Sequence, residues 1–170
     1  MSAAPVLANL FDPRGRCNRK GLMVTALALL LVQVAVGLAM WAADVSIHAL
    51  VVKPVKIAVL WIATVALLKR LHDVGASGWA LLWALIATFV WTVLVAGICV
   101  SAFGPAVAEI GSSPFLVYLT LVSAPLLAAM LWLHVVPGDA GPNRYGPAPD
   151  ASGFSMPPAV STPDVALRTA

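Results

Sequence analysis

Long apolar runs separated by short polar segments dominate the pattern of this chain. Three runs carry no Asp, Glu, Lys or Arg, and a fourth carries lysines only near its start. A helix of about 20 residues crosses hydrocarbon about 30 Å thick, because it rises about 1.5 Å per residue. The pattern therefore predicts an all-α fold with four transmembrane helices, over residues 22–43, 50–68, 79–100 and 115–136.

The second run is the least apolar of the four. Its uncharged stretch covers only residues 57–68, so it reaches spanning length only if Lys53 and Lys56 extend their side chains toward the interface. A re-entrant or interfacial segment is the alternative. Lys69 and Arg70 follow directly, where a helix would leave hydrocarbon, and this favours a crossing helix.

Polar segments flank the predicted membrane domain of residues 22–136. A basic amino-terminal segment covers residues 1–21, and a motif rich in glycine and proline covers residues 137–149. The prolines and small residues of positions 150–170 predict a disordered tail.

Composition supports a multi-pass membrane protein. Hydrophobic residues make up 61% of the chain, charged residues 10%, and the mean hydropathy is +0.96. The net charge of +3 does not indicate nucleic-acid binding, because the basic residues mostly flank apolar runs. Cys17 and Cys99 predict free thiols rather than a disulfide or metal site, and no cofactor is indicated.

The basic residues also predict an orientation. Four crossings place both termini on one side, and eight of the ten lysines and arginines then share that side. Basic residues are enriched in cytoplasmic segments, so we expect cytoplasmic N and C termini. The eight residues are Arg14, Arg16, Arg19, Lys20, Lys69, Arg70, Arg144 and Arg168.

Five of these cations are candidates for binding an anion or a lipid headgroup. If the polar segments meet, their guanidinium and ammonium groups offer donors that match a phosphate. The simpler explanation is that cations beside helix ends anchor the topology and bind no specific ligand. The candidates are Arg16, Arg19, Lys69, Arg70 and Arg144.

His72 and Asp73 raise the possibility of chemistry at the same place. An adjacent imidazole and carboxylate can act as an acid–base pair, so one alternative function is an enzyme that acts on a lipid or phosphate group at the membrane interface. His134 could also join them around a metal. The alternative is structural, with Asp73 neutralising Arg70. A small transporter is a further alternative, although no Asp or Glu lies inside any predicted span.

Two further features concern helix ends and packing. Between the second and third runs, Gly75 predicts a helix C-cap, Ser77 an N-cap and Trp79 an interfacial ring. Pro125 interrupts the fourth run and frees a backbone carbonyl, which Ser123 or a neighbouring helix could satisfy.

Three motifs together resemble a bacterial inner-membrane family, domain of unknown function 805, over residues 10–149. They are Gly15-Arg16-x-x-Arg19, then Lys69-Arg70-Leu71-His72-Asp73-x-Gly75-x-Ser77-Gly78-Trp79, and last Gly141-x-Asn143-Arg144-Tyr145-Gly146-Pro147. Members often carry aromatic residues after the first motif, where this chain has Gly21-Leu22.

The resemblance implies a small integral protein of the bacterial inner membrane whose family has no assigned activity. It also implies a shared cytoplasmic role for the motif residues, which topology anchoring alone does not explain. We therefore expect a non-enzymatic module that binds the bilayer's anionic lipid headgroups or a membrane or cytoplasmic protein partner. The structural residues of the motifs are Gly15, Gly75, Ser77, Gly78, Trp79, Asn143, Tyr145 and Gly146.

Overall fold

The structure, a computed structural model, describes residues 10–46 and 50–155. Within these ranges the fold is all-helical, and the only strand-like pairing is two isolated bridges. The predicted tail from residue 156 onward lies outside the described residues. The four helices are α1 (Arg19–Ala42), α2 (Lys53–Asp73), α3 (Trp79–Phe103) and α4 (Ser113–Val135).

Three helical segments are long and apolar enough to cross a membrane: α1, α3 with the 3-10 turn that follows it, and α4. α1 begins where Asn18 caps it, its Oδ1 accepting from the Gly21 backbone N–H at 3.0 Å. Most of its side chains are exposed apolar groups, as expected for a surface that faces lipid. The prediction of apolar helices suited to a membrane is therefore confirmed.

α2 differs from the other helices because it carries charge at both ends. It begins with Lys53 after a 3-10 turn, and it continues as helix through Asp73. The sequence placed the end of this element at residue 68, because Lys69 and Arg70 resemble a helix exit. They remain helical since their side chains are buried against other parts of the chain instead of entering water.

Contacts divide the chain into two compact units. One unit contains α1, α2 and the polar segments before and after the helices, and α1 packs against α2 within it. Its amino-terminal segment also runs along α2, where the Trp61 indole N–H donates to the Phe11 carbonyl at 3.2 Å. The other unit, Ser77–Val136, contains α3 and α4.

The α3–α4 unit is a helical hairpin closed by the 3-10 turn Gly104–Ala108. Its small core consists of Val95 and Cys99 from α3 and Val107 from the turn, with Tyr118 of α4 packed against them. This core holds the two helices together at the end where the turn connects them.

The proline in α4 is compensated by the neighbouring helix. Pro125 has no N–H to donate to the carbonyl of Leu121, four residues earlier. The indole N–H of Trp91, on α3, donates to that carbonyl at 2.9 Å. Ser123 serves a different group, since its hydroxyl donates to the Leu119 carbonyl at 2.7 Å. Of the two sources that the sequence left open, the structure uses the neighbouring helix.

The start of α3 differs from the sequence expectation. Ser77 was expected to cap the helix through its side chain, but Gly78 is the residue that precedes the first turn and no side chain caps it. The Ser77 carbonyl instead accepts from the Ala80 backbone N–H at 2.9 Å. Trp79, the first helical residue, is exposed.

Candidate functional site

The carboxylate of Asp73, in the last turn of α2, lies at the centre of the site. It is buried, and two fully buried arginines contact it. Arg16 donates to Oδ1 from Nε at 3.1 Å and from Nη2 at 2.9 Å. Arg70, one turn earlier on α2, donates from Nη1 to Oδ2. Because each buried charge depends on the others to offset its desolvation, the three side chains form one interdependent group.

The segment after α4 completes this group. The Arg16 guanidinium donates from Nη1 to the Gly141 carbonyl at 2.6 Å and from Nη2 to the Asp139 carbonyl. The Asp139 backbone N–H donates to the Asp73 carbonyl at 2.8 Å. At Gly138 an added Cβ would overlap the Asp73 carboxylate, so the backbone approaches that group more closely than any side chain would allow.

Three segments far apart in sequence therefore meet, and we call their assembly the polar junction. The Cys17 backbone N–H donates to the Lys69 carbonyl at 3.1 Å, which ties the amino-terminal segment to α2. The Ser155 N–H donates to the Arg16 carbonyl at 2.9 Å, and Phe154 forms an isolated bridge with Cys17. The polar junction comprises residues 14–20, 69–75 and 138–155.

Residues 150–155, which the sequence assigned to the tail, belong to this assembly. The Asn18 N–H donates to the Gly153 carbonyl at 2.9 Å. Gly153 and Gly21 lie so close that a Cβ on Gly21 would be 2.5 Å from the Gly153 carbonyl oxygen. Gly153 also has a φ of +93°, a conformation that favours glycine. Two glycines thus let the carboxyl-terminal segment reach the first turn of α1.

His72 has different partners from its neighbour Asp73. Its Nδ1–H donates to the Gly15 carbonyl at 3.1 Å, and its ring stacks on Tyr145 with centroids 3.9 Å apart and planes 6° apart. Burial lowers the pKa of His72, the Gly15 bond raises it, and the nearby Arg144 lowers it further. The two side chains that the sequence offered as an acid–base pair therefore have different partners, although both residues have partners in the amino-terminal segment and in the segment after α4.

The Asn143–Gly146 motif attaches the carboxyl-terminal segment to the end of α2. Asn143 and Gly146 exchange two backbone hydrogen bonds of 3.0 Å, which make a tight turn. The Asn143 side-chain amide donates to the His72 carbonyl at 2.9 Å, and Arg144 donates to the Gly75 carbonyl at 3.2 Å. The motif therefore bonds one carbonyl in the last turn of α2 and one in the turn that follows the helix.

Of the five cations that the sequence proposed for an anion site, three are buried and two are exposed. Arg16 and Arg70 are fully buried on Asp73, so an internal carboxylate occupies the groups that were expected to hold an external anion. Lys69 is also fully buried, with Nζ 5.8 Å from the centroid of the Phe154 ring. Arg19 and Arg144 are exposed, as is Lys20, which was not among the candidates.

Metal binding has no support from the described ranges. Within residues 10–46 and 50–155, no group of three or more His, Cys, Asp or Glu side chains could hold a metal ion. The Nδ1–H of His134 donates to the Met130 carbonyl in its own helix at 2.7 Å.

Sequence reasoning did not assign a role to several residues of the polar junction. Cys17 is fully buried, and this burial raises the pKa of its thiol to about 12. Phe154 and Ser155 lie in a stretch whose composition suggested disorder. The glycines at positions 138 and 153 were the sequence feature that could have indicated this packing, because the backbone at each lies too close to another segment for a side chain to fit.

Comparison with family models assigns the chain to a family. A family model described as a protein of unknown function, DUF805, matches residues 10–147, which include all four helices and most of the polar junction. Comparisons with curated proteins and with solved structures give no match. The family match covers well over half of the chain and confirms the resemblance in the three motifs. The chain belongs to the DUF805 family, whose function is unknown.

Proposed function

We propose that this protein is a multi-pass protein of the bacterial inner membrane, with four crossings and a cytoplasmic polar junction that binds anionic lipid headgroups without catalysis. One observation carries this proposal. Arg16 and Arg70 are paired with Asp73 inside the polar junction, while other cations around it remain exposed.

The closure of the chain at the polar junction supports four crossings. α1 has 24 residues and is about 36 Å long, and it begins beside Cys17. The Cys17 N–H bonds the Lys69 carbonyl near the end of α2. A chain that leaves the junction through α1 must return the same distance through α2 to reach Lys69. α2 therefore crosses the membrane in this proposal, despite the charges near its ends.

The exposed cations favour an anionic partner at the membrane surface. Arg19 and Lys20 are exposed in the first turn of α1, and the apolar side chains of Met23 and Val24 are exposed directly after them. This places positive charge at the boundary between hydrocarbon and water, where lipid phosphates lie.

Arg144 supplies a cation held in a defined position. Its guanidinium lies 4.8 Å from the centroid of the Tyr145 ring and donates to the Gly75 carbonyl. The Tyr145 ring is itself stacked on His72. A guanidinium fixed in this way loses less conformational freedom when it binds a phosphate, and its planar donors can contact two phosphate oxygens.

Photo-crosslinking tests the proposal directly. The full-length protein is reconstituted in vesicles that contain phosphatidylglycerol with a photoreactive group on its headgroup, and adducts are mapped by peptide mass spectrometry. We expect adducts in residues 14–20 and 138–155. The double variant Lys20→Gln, Arg144→Gln should lose most of them, while Lys53→Gln serves as the matched control.

Three results would contradict the proposal. Adducts that are equally frequent with a zwitterionic phosphatidylcholine probe would exclude selectivity for anionic lipid. Adducts in residues 14–20 and 138–155 that survive the double variant would exclude the exposed cations, and a partner protein would then become the better explanation. Labelling of single cysteines at positions 20 and 53 from the same side of the membrane would exclude the crossing of α1.

A further inference from the structure

A cavity lies in the α1–α2 unit, away from the polar junction. It has a volume of about 470 Å³, within the range of about 300–1,000 Å³ that small-ligand sites occupy. Side chains of α1 line one wall and side chains of α2 the other, and most are apolar. Leu60, on the α2 wall, is 68% exposed, so the cavity opens sideways toward lipid.

One uncharged polar group enters this apolar cavity. Gln33 lies nine residues before the end of α1, about 13 Å from that end of the helix. Across residues 10–46 and 50–155, its side chain makes no hydrogen bond to the protein. An amide in hydrocarbon without a hydrogen-bond partner costs free energy, so a ligand with a hydrogen-bonding group at this depth would be stabilised by Gln33.

Positive charge lies at the outer end of the same cavity. Lys56 lines it, and Lys53 is one turn earlier on α2. Both side chains are exposed. Asp44, after the end of α1, is the one acidic residue at this end of the two helices in the described ranges. The cavity therefore combines an apolar body, an amide at intermediate depth and an excess of cations at its mouth.

We propose that this cavity binds one molecule of an anionic phospholipid. An acyl chain lies against the apolar walls, the Gln33 amide donates to an ester carbonyl, and Lys56 with Lys53 binds the phosphate. The order of these groups from hydrocarbon to water is the order in a phospholipid. This site is at the far end of α1 and α2 from the polar junction, so it does not depend on the function proposed for that junction.

Gly37 provides a direct way to close the cavity. It lines the α1 wall, and no atom lies within 4 Å of the position where its Cβ would be. A Cβ there meets no neighbour, so a leucine is expected to extend from α1 into the cavity. Gly97, in α3, has the same open surroundings and serves as the matched control.

The test uses delipidated full-length protein in a neutral detergent, titrated with dioleoyl phosphatidylglycerol or dioleoyl phosphatidylcholine and followed by native mass spectrometry. A photoreactive acyl chain maps each bound lipid. We expect phosphatidylglycerol adducts on peptides from residues 33–63. Gln33→Leu and Lys56→Gln should each weaken that binding, Lys56→Gln by about tenfold since it removes a charge-assisted contact.

Gly37→Leu should abolish these adducts, and Gly97→Leu should leave them unchanged. Arg144→Gln, which alters the polar junction, should also leave them unchanged, so failure of one site is distinguishable from failure of the other. Equal affinity for the two lipids, or binding that persists in both Gly37→Leu and Gln33→Leu, would overturn the proposal. Dimers that form without lipid and disappear in Gly37→Leu would identify a second copy of the chain as the occupant instead.

Discussion

Replacing Asp73 with asparagine tests whether the polar junction depends on its single buried carboxylate. Asparagine keeps the shape of the side chain but removes its charge. Arg16 and Arg70, both fully buried, would then face a neutral amide. The variant therefore leaves two guanidinium groups without a counter-charge, in a place that water does not reach.

The expected cost follows from this geometry. Breaking a buried ion pair by removing one partner typically costs about 3–5 kcal/mol, mainly because the remaining charge stays desolvated. Asp73 contacts two arginines, so we expect the loss to lie toward the upper end, about 4–5 kcal/mol. For a chain of this length that corresponds to a fall of on the order of 10 °C in the unfolding midpoint.

The assay is thermal unfolding of the full-length protein in detergent, followed by tryptophan fluorescence. Asp150→Asn is the matched control, because Asp150 is exposed and its carboxylate accepts hydrogen bonds from the nearby Ser152. Its effect should be below about 1 kcal/mol. In a double-mutant cycle, Arg16→Met should cost much less in the Asp73→Asn background than in the native protein. A loss for Asp73→Asn no larger than that of the control would refute the reasoning.

Two further predictions concern a buried thiol and a helix contact. Because the raised pKa of Cys17, about 12, leaves little thiolate near neutral pH, a maleimide should label it in the folded protein at least about a hundred times more slowly than after denaturation. Removing residues 151–170 should restore fast labelling, and continued protection would show that another segment covers the thiol. Trp91→Phe should cost about 1–2 kcal/mol, because it leaves the Leu121 carbonyl unpaired. Pro125→Ala, which restores a backbone donor to that carbonyl, should reduce the cost, and an equal cost in that background would contradict the role of the indole.

The helices could be predicted from sequence because hydropathy is a local property. Runs without charge gave α1, α3 and α4 to within a few residues at each end. α2 was harder because Lys69 and Arg70 resemble a helix exit. Their burial depends on an amino-terminal segment more than fifty residues away, and no pattern within α2 reports that contact.

The polar junction was predictable in its parts but not in its arrangement. The motifs around Arg16, Asp73 and Asn143 stand out because they contain uncharged and acidic residues in addition to the lysines and arginines that would fix the membrane topology. The burial of a particular cation depends on close contacts between backbone segments that are distant in sequence. Gly138 and Gly153 make such contacts, with Asp73 and Gly21. Composition alone gave a tail where the chain makes specific hydrogen bonds, because small residues are common both in disordered segments and in tight contacts.

The separation in sequence of the junction segments has a consequence for biosynthesis. The backbone N–H of Arg16 donates to the Ser155 hydroxyl, 139 residues later in the chain, so Arg16 is synthesised long before this partner. Until α4 has been inserted and the ribosome has released the following segment, the arginine lacks its carbonyl partners at Asp139 and Gly141. Contacts of such long range form late and slowly. In an incomplete chain the Arg16 guanidinium therefore lacks two of the carbonyl acceptors that hold it in the finished protein, and water must take their place until the last segment arrives.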